Sequence, residues 1–208
     1  GGTAPATIPG ALSIGIADTL TGLVIGQLIQ KGAPMICGAA GGPMDMKTMQ
    51  HSYGAPEWML VHGASAEIFH ALNLPVFHAA GVTDSKTIDA QATIEATMQI
   101  MCALGTGGNL IHDVGFADLG MTGSLAQLTI CDEIIGMAKR LYQGIAFDEE
   151  AFAFDVIKKV GPGGNFLMEE HTANHFRETW NPDLIDRYGY ATWEAKGSKN
   201  MTERADEK

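Results

Sequence analysis

Apolar residues along the first two-thirds of this chain fall into blocks of two sizes. The long blocks have helical spacing. Ile8–Ile29 carries Pro9 in its first turn and stops at Gly32, as a helix with an N-terminal proline and a C-terminal glycine does. A second block runs from Pro56-Glu57 to about Asn73, with an acid where the helix dipole is positive. A third runs from about Ile88 to Leu104 and ends at Gly105-Thr106-Gly107-Gly108. A fourth, capped by Thr122 or Ser124, continues to Tyr142 and closes at Gly144. Between them lie short apolar runs of strand length: 33–38, 75–79 and 109–113.

Helix–strand alternation with short, wholly apolar strands predicts an α/β fold with parallel pairing, the strands being buried on both faces. An open doubly wound sheet and part of a (β/α)8 barrel both accept this order. The open sheet calls for a GxGxxG turn after its first strand, and no glycine cluster here has that form. A whole barrel needs eight strands and ~200–250 residues, whereas three strands are legible, or four if one ends before Gly1. The expectation is therefore the C-terminal part of a TIM barrel, three to four βα units over residues 1–145. A helical elaboration would follow over 146–194, starting with a helix from Asp148 to Val160 stopped by Gly161. Residues 195–208, charged and apolar-poor, read as an exposed helix or tail.

Composition narrows the function. Lys+Arg is 13 against Asp+Glu 24, a formal charge of −11, which disfavours nucleic acid and anionic membranes as partners. Cys37, Cys102 and Cys131 are widely spaced in apolar runs, as reduced thiols of a cytoplasmic protein would be. The longest apolar stretch, Ile8–Ile29, is interrupted by Asp18, Gln27 and several Thr and Gly, which argues against a membrane span. The chain opens Gly1-Gly2-Thr3 without Met and has no basic secretory n-region; a processed chain or a piece of a longer one is expected.

In either architecture the active site lies in the loops after the strand C-termini. Those loops offer Asp45 after the first strand, His78 and then Thr83, Asp84, Ser85 and Lys86 after the second, and His112, Asp113 and Asp118 after the third; Thr3 joins them if a strand precedes it. Bland readings stand beside these. Asp84 and Ser85 could cap the following helix, Asp89 could serve its dipole, and His78 and His112 could be satisfied core residues. His171 and His175 have the i, i+4 spacing of a zinc pair but lack the Glu of HExxH.

Five segments in order, GGTAPATIPGAL, GVTDSKTIDAQATIEA, GNLIHDVG, LTICDEIIGMAKRL and KKVGPGGNFLMEEHTANHFRE, resemble the trimethylamine methyltransferase (MttB) family over residues 1–194. The combination of TDSKxxDAQA, DEIIGM and GPGGxFL is far more specific than any one motif. The resemblance implies a (β/α)8 enzyme about twice this length. It would move a methyl group from a methylated amine such as trimethylamine or glycine betaine to the Co(I) corrinoid (cobalamin) of a separate carrier protein. No metal held by this chain is implied. Only the twenty standard residues occur here; either the chain belongs to the pyrrolysine-free branch that includes glycine betaine methyltransferases, the preferred reading, or the unusual residue lies outside this piece or was not recorded. The pocket is then assigned to His78, Asp84, Lys86, His112 and Asp113, with Thr3 and Asp45 at its rim. The aromatics near these loops are Tyr53, Trp58, Phe77 and Phe116. Two other readings stay open: a catalytically inactive half-barrel interaction module, whose open edges would favour a homo-oligomer, and a metal-dependent hydrolase using His112, Asp113 and the HTANH pair.

Overall fold

The computed structural model describes residues 2–38 and 41–208. The start of the loop expected at 39–55 therefore lies outside the described residues. The four long blocks are helices: α1 (Ile8–Ile29), α2 (Pro56–Ala71), α3 (Ala90–Gly105) and α4 (Leu125–Tyr142). Pro9 and Pro56 sit in the first turns of α1 and α2, and Ser124, not Thr122, caps α4 by accepting from the Gln127 amide. Asp89 caps α3 by accepting from the amides of Gln91 and Ala92.

Strands are far shorter than the apolar runs that encode them. β1 (Phe77–Ala79) and β2 (Leu110–His112) pair in parallel, Phe77 opposite Leu110 and Ala79 opposite His112. The run 33–38 contributes a single parallel bridge, Cys37 to Val76, closed by hydrogen bonds from the Cys37 amide to the Pro75 carbonyl and from the Phe77 amide to the Cys37 carbonyl. Parallel order is thus as expected, with 37, β1 and β2 side by side in an α/β arrangement. The described residues form no closed barrel. Beyond β2 the chain makes a small antiparallel pair that the sequence did not suggest, β3 (Phe116–Ala117) with β4 (Thr122–Gly123).

Side-chain alternation gives the sheet two different faces. Val76 and His78 point into the helix layer, where Val76 joins Cys37, Ala66 and Phe69, flanked by Ile16 and Leu20 of α1. Ala80 continues that face into the larger cluster of α3 and α4, with Ala96, Ile100, Ile130 and Ile134. Phe77, Leu110 and His112 occupy the other face, and there Phe77 and Leu110 stay 39% and 48% exposed.

α1 calls for a correction. With Asp18 as its one charge, its 22 residues are long and apolar enough to cross a membrane by length and composition. Asp18 and Gln27 do not lower the mean enough to prevent this. In the fold it packs one side through Leu12, Ile16 and Leu20, and Thr19 donates to the Gly38 carbonyl. Val24, Ile25, Leu28 and Ile29 are left exposed.

The expected helix from Asp148 to Val160 breaks in two at Ala153, whose φ is +50°, giving α5 (Glu149–Phe152) and α6 (Phe154–Val160). α7 (Glu170–His175) and a 3₁₀ turn (Phe176–Glu178) follow, then α8 (Tyr190–Ala195) and α9 (Met201–Asp206). Residues 195–208, expected as an exposed helix or tail, include a docked element. A capping box of Asn200 and Glu203 starts α9, Ala205 is buried against α4, and Thr202 donates to the Ile88 carbonyl.

A buried carboxylate fixes the chain before α9. Glu133 of α4 accepts from the amides of Asp183, Leu184 and Ile185 at 3.2, 2.9 and 2.8 Å. Three converging N–H groups satisfy a charge that would otherwise be costly to bury. Gly136, one turn on, leaves room for Trp180, whose indole lies 3.4 Å from where a Cβ would stand. DEIIGM is thus a docking motif. Glu133→Ala should cost roughly 3 kcal/mol in urea unfolding and expose residues 180–208 to limited proteolysis; unchanged cleavage there would show that the segment is held by other means.

Candidate functional site

The loops after the strands are held by side chains from α3. Glu95 accepts from the Thr83 hydroxyl at 2.6 Å and the Asp84 amide at 2.8 Å. Gln99, 1% exposed, brackets Val82 through both its amide and its carbonyl and donates to the Tyr53 carbonyl at 2.9 Å. Asp84 in turn accepts from the Ser52 hydroxyl and the amides of Tyr53 and Gly54, at 2.5, 2.8 and 3.1 Å. Gly54 is required there, since a Cβ would stand 2.3 Å from the Glu95 carboxyl carbon. The next loop is joined by backbone bonds from the Leu119 amide to the Thr83 carbonyl and from the Asp118 amide to the Ser85 carbonyl.

Most of the TDSKxxDAQA segment is therefore a structural staple. Asp84 spends its oxygens on the 52–54 loop. Ser85 does not cap α3 but donates to Asp89, the residue that does. Four hydrogen bonds hold Asp89, its carboxyl being kept below the usual range first by the Ala92 amide. Lys86 remains exposed, donating to the Asp84 carbonyl and lying 3.8 Å from Asp118.

His78 and His112, a matched pair in sequence, are separated by the sheet. His78 is 2% exposed in the helix layer, its ring 4.8 Å from that of His62 on α2, which lies 4.1 Å from Trp58. Burial holds His62 neutral down to about 3, helped by repulsion from His78, and it lowers His78 as well. His78 therefore does not lie beside His112 and Asp113. An odd number of residues separates its register position from that of His112, so the pleat sends the two to opposite faces.

His112 faces the open side. Its ring stacks on Phe77, centroids 3.8 Å apart and planes 12° from parallel, and its Nδ1 lies 2.6 Å from the Asp113 carboxylate. Asp113 adopts φ +73°, in the left-handed region that suits Asn and Asp better than other L residues. Asp118 and Leu119 follow it there at +51° and +57°. Positive-φ residues bunched beside an ionisable pair are a mark of functional loops. Tyr53 is near: its phenol is pushed up by burial and then by the Asp113 and Asp84 carboxylates. Its ring is 3.7 Å from the Cβ position of Gly120.

Thr3 and Asp45 sit elsewhere, lining a groove of about 870 Å³ between the first half of α1 and the loop 41–55. Asp45 closes a turn by accepting from the Lys47 amide and the Thr48 hydroxyl. His171 and His175 stack on each other, and His175 is pushed up by Glu178, at 2.5 Å, and by Glu150. Among the described residues no group of three His, Cys, Asp or Glu could hold a metal ion. Of the seven predicted site residues, then, His112 and Asp113 come together, with Lys86 on the adjoining loop. Glu95, Gln99 and Glu133 escaped the sequence reading, because polar residues turned inward on amphipathic helices read as solvent-facing ones.

The α/β scaffold carries an imidazole–carboxylate pair at its strand ends, and comparison with known proteins gives the family. Residues 1–208 match the model of Trimethylamine methyltransferase (MTTB), and the chain belongs to this family. It is 42% identical over 207 residues to glycine betaine methyltransferase of Desulfitobacterium hafniense strain Y51, covering 99% of this chain and 43% of that protein. It is 38% identical to the trimethylamine methyltransferase MttB of D. hafniense strain DSM 10664 / DCB-2, over 99% of this chain and 41% of that one. For the MttB of Methanosarcina barkeri the identity is 36%, over 100% of this chain and 42% of that protein. The chain thus spans less than half the length of these relatives.

Two predictions test the site's construction. Asp84→Ala leaves one hydroxyl and two amides without an acceptor and should lower stability by roughly 2 kcal/mol in denaturant titration; a change within error would mean that solvent replaces the carboxylate at no cost. The second concerns acid. An unfolded histidine takes up a proton near 6.5 and folded His62 only near 3, so its contribution is whole above pH 6.5 and falls as pH drops through that window. The loss reaches at most about 5 kcal/mol by pH 3. His62→Leu should flatten the dependence of the urea midpoint on pH between 7 and about 4.5; an undiminished slope would place the acid sensitivity in other groups.

Proposed function

We propose that this chain is part of a methyltransferase that takes a methyl group from a methylated amine and delivers it to the corrinoid of a separate carrier protein. Family membership over the whole chain supports the reaction class. The observation that carries the placement is the Phe77–His112 stack beside Asp113, on the uncovered face at the strand ends. Short parallel strands with helices on one face are also what part of a (β/α)8 barrel contains, and the uncovered face would then line its interior. Further strands, a cytoplasmic location and a homo-oligomeric state belong to the same reading.

The residues here fit a role in substrate binding rather than in holding the corrinoid. The corrinoid would supply Co(I), a nucleophile toward methyl carbon. The chain's task is to present one methyl of the amine toward the docked carrier and to exclude competing geometries. Displacement turns a cationic ammonium into a neutral amine, so a carboxylate in direct contact would stabilise the bound cation more than the transition state. Aromatic and imidazole faces attract the cation more weakly and lose less. Asp113 meets this requirement by being bound to the His112 ring. Lys86, exposed on the adjoining loop, suits a substrate carboxylate, and with standard residues only and 42% identity to a glycine betaine methyltransferase, a betaine is the preferred substrate.

The test is methyl transfer by the whole protein to cob(I)alamin, followed by absorbance, with glycine betaine, trimethylamine, choline and carnitine in parallel. Turnover with glycine betaine is expected, and His112→Ala should reduce it at least about tenfold. Silence with all four, repeated with the cognate corrinoid protein, would remove the proposal. Full turnover in the variant would remove His112.

A further inference from the structure

The His112–Asp113 pair has a directional consequence. Nδ1 of His112 lies 2.6 Å from Asp113, and only the N–H of that nitrogen can donate to a carboxylate. In the neutral ring Nε2 therefore carries the lone pair, and the tautomer is set by the partner on the other nitrogen. Stacking on Phe77 fixes the ring plane, so this acceptor edge is presented on the uncovered face of the sheet. A neutral ring bound to a carboxylate has an electron-rich face and an acceptor edge, both attractive to a cation. The protonated ring has a donor at Nε2 and a positive charge, and it repels one.

We infer that His112 is a specificity-determining residue that admits a methylated ammonium only in its neutral, Nε2-acceptor form, so that cation and proton compete for the same place, with Asp113 as the positioning residue. The class of ligand rests on the reading given above; the competition rests on the geometry of this pair.

Few other charges interfere. Behind the sheet, the imidazoles whose charge would act on His112 are His62 and His78, and burial disfavours the charged form of both. On the loop 41–55 Tyr53 faces Asp113 with a raised phenol that stays protonated, and His51, its ring 4.6 Å from that of Tyr53, is lowered first by burial. On the loop after β1, Lys86 is engaged with the Asp84 carbonyl and Asp118, and Asp84 with three donors of its own.

The experiment is calorimetric titration of the whole protein with tetramethylammonium chloride, which needs neither carrier nor turnover. At about pH 6, heats in phosphate and in MES should reveal release of a proton on binding, and affinity should be at least about tenfold higher at about pH 8.5. His112→Phe keeps an aromatic stack on Phe77 and should bind with the same affinity at both pH values and release no proton. Asp113→Gly tolerates φ +73° and removes the acceptor at Nδ1. With no acceptor held at Nδ1 the ring loses its fixed tautomer; binding at pH 8.5 should fall several-fold, and the imidazole ¹⁵N shifts should report a mixture of tautomers. Absence of binding at both pH values, pH-independent affinity in the unaltered protein, or an unshifted Asp113→Gly would each overturn the inference. Methyl transfer without proton release would leave the proposed function standing and sink the competition. Proton-linked binding without methyl transfer would do the reverse.

Discussion

A sheet of three-residue strands leaves the backbone beyond its ends without ladder partners, and everything at the site depends on how α3 supplies them. Glu95 and Gln99, one turn apart, reach over the helix N-terminal half and take the polar groups of residues 82–84 and the Tyr53 carbonyl. These are buried amide–carboxylate and amide–amide bonds, where an orphaned group would cost more than the bond contributes. Asp84 then extends the same bracket to 52–54. The loops are thus rigid because helix side chains substitute for missing strand, and the dyad after β2 sits on a platform whose neighbours are already fixed.

Two kinds of ionisable residue emerge from this arrangement. Glu133, Glu95 and Asp84 are fully engaged with donors and act as fasteners. His112, Asp113 and Lys86 keep part of their surface open and differ in backbone as well, Asp113 lying in the left-handed region. The contrast separates residues that a fold must have from residues that a surface uses, although both types stand in the same loops and carry the same charges.

The sequence made the large elements legible because their signals are local. Pro9 and Pro56 start helices, Gly32 and Gly144 follow them, and apolar runs with glycine boundaries mark where pairing occurs. Strand length was not legible: 33–38 is apolar enough for a strand, yet only Cys37 meets a partner, since pairing depends on what lies alongside. The site was half legible. That His112 and Asp113 come together follows from strand-end position, whereas the face that His78 takes depends on register, a long-range property. The break at Ala153 and the docking of α9 had no signal at all, the first being a backbone choice and the second a contact between segments far apart in sequence.

The left-handed backbone of Asp113 also bears on how this lineage can change. Besides Asp, the residues most at home at φ +73° are Asn and Gly. Every Asp codon is one base away from a codon for each of them. The pairing with His112 can therefore be dismantled in a single mutational step that the fold barely registers, while the same step at Asp84 would disturb an acceptor shared by three donors.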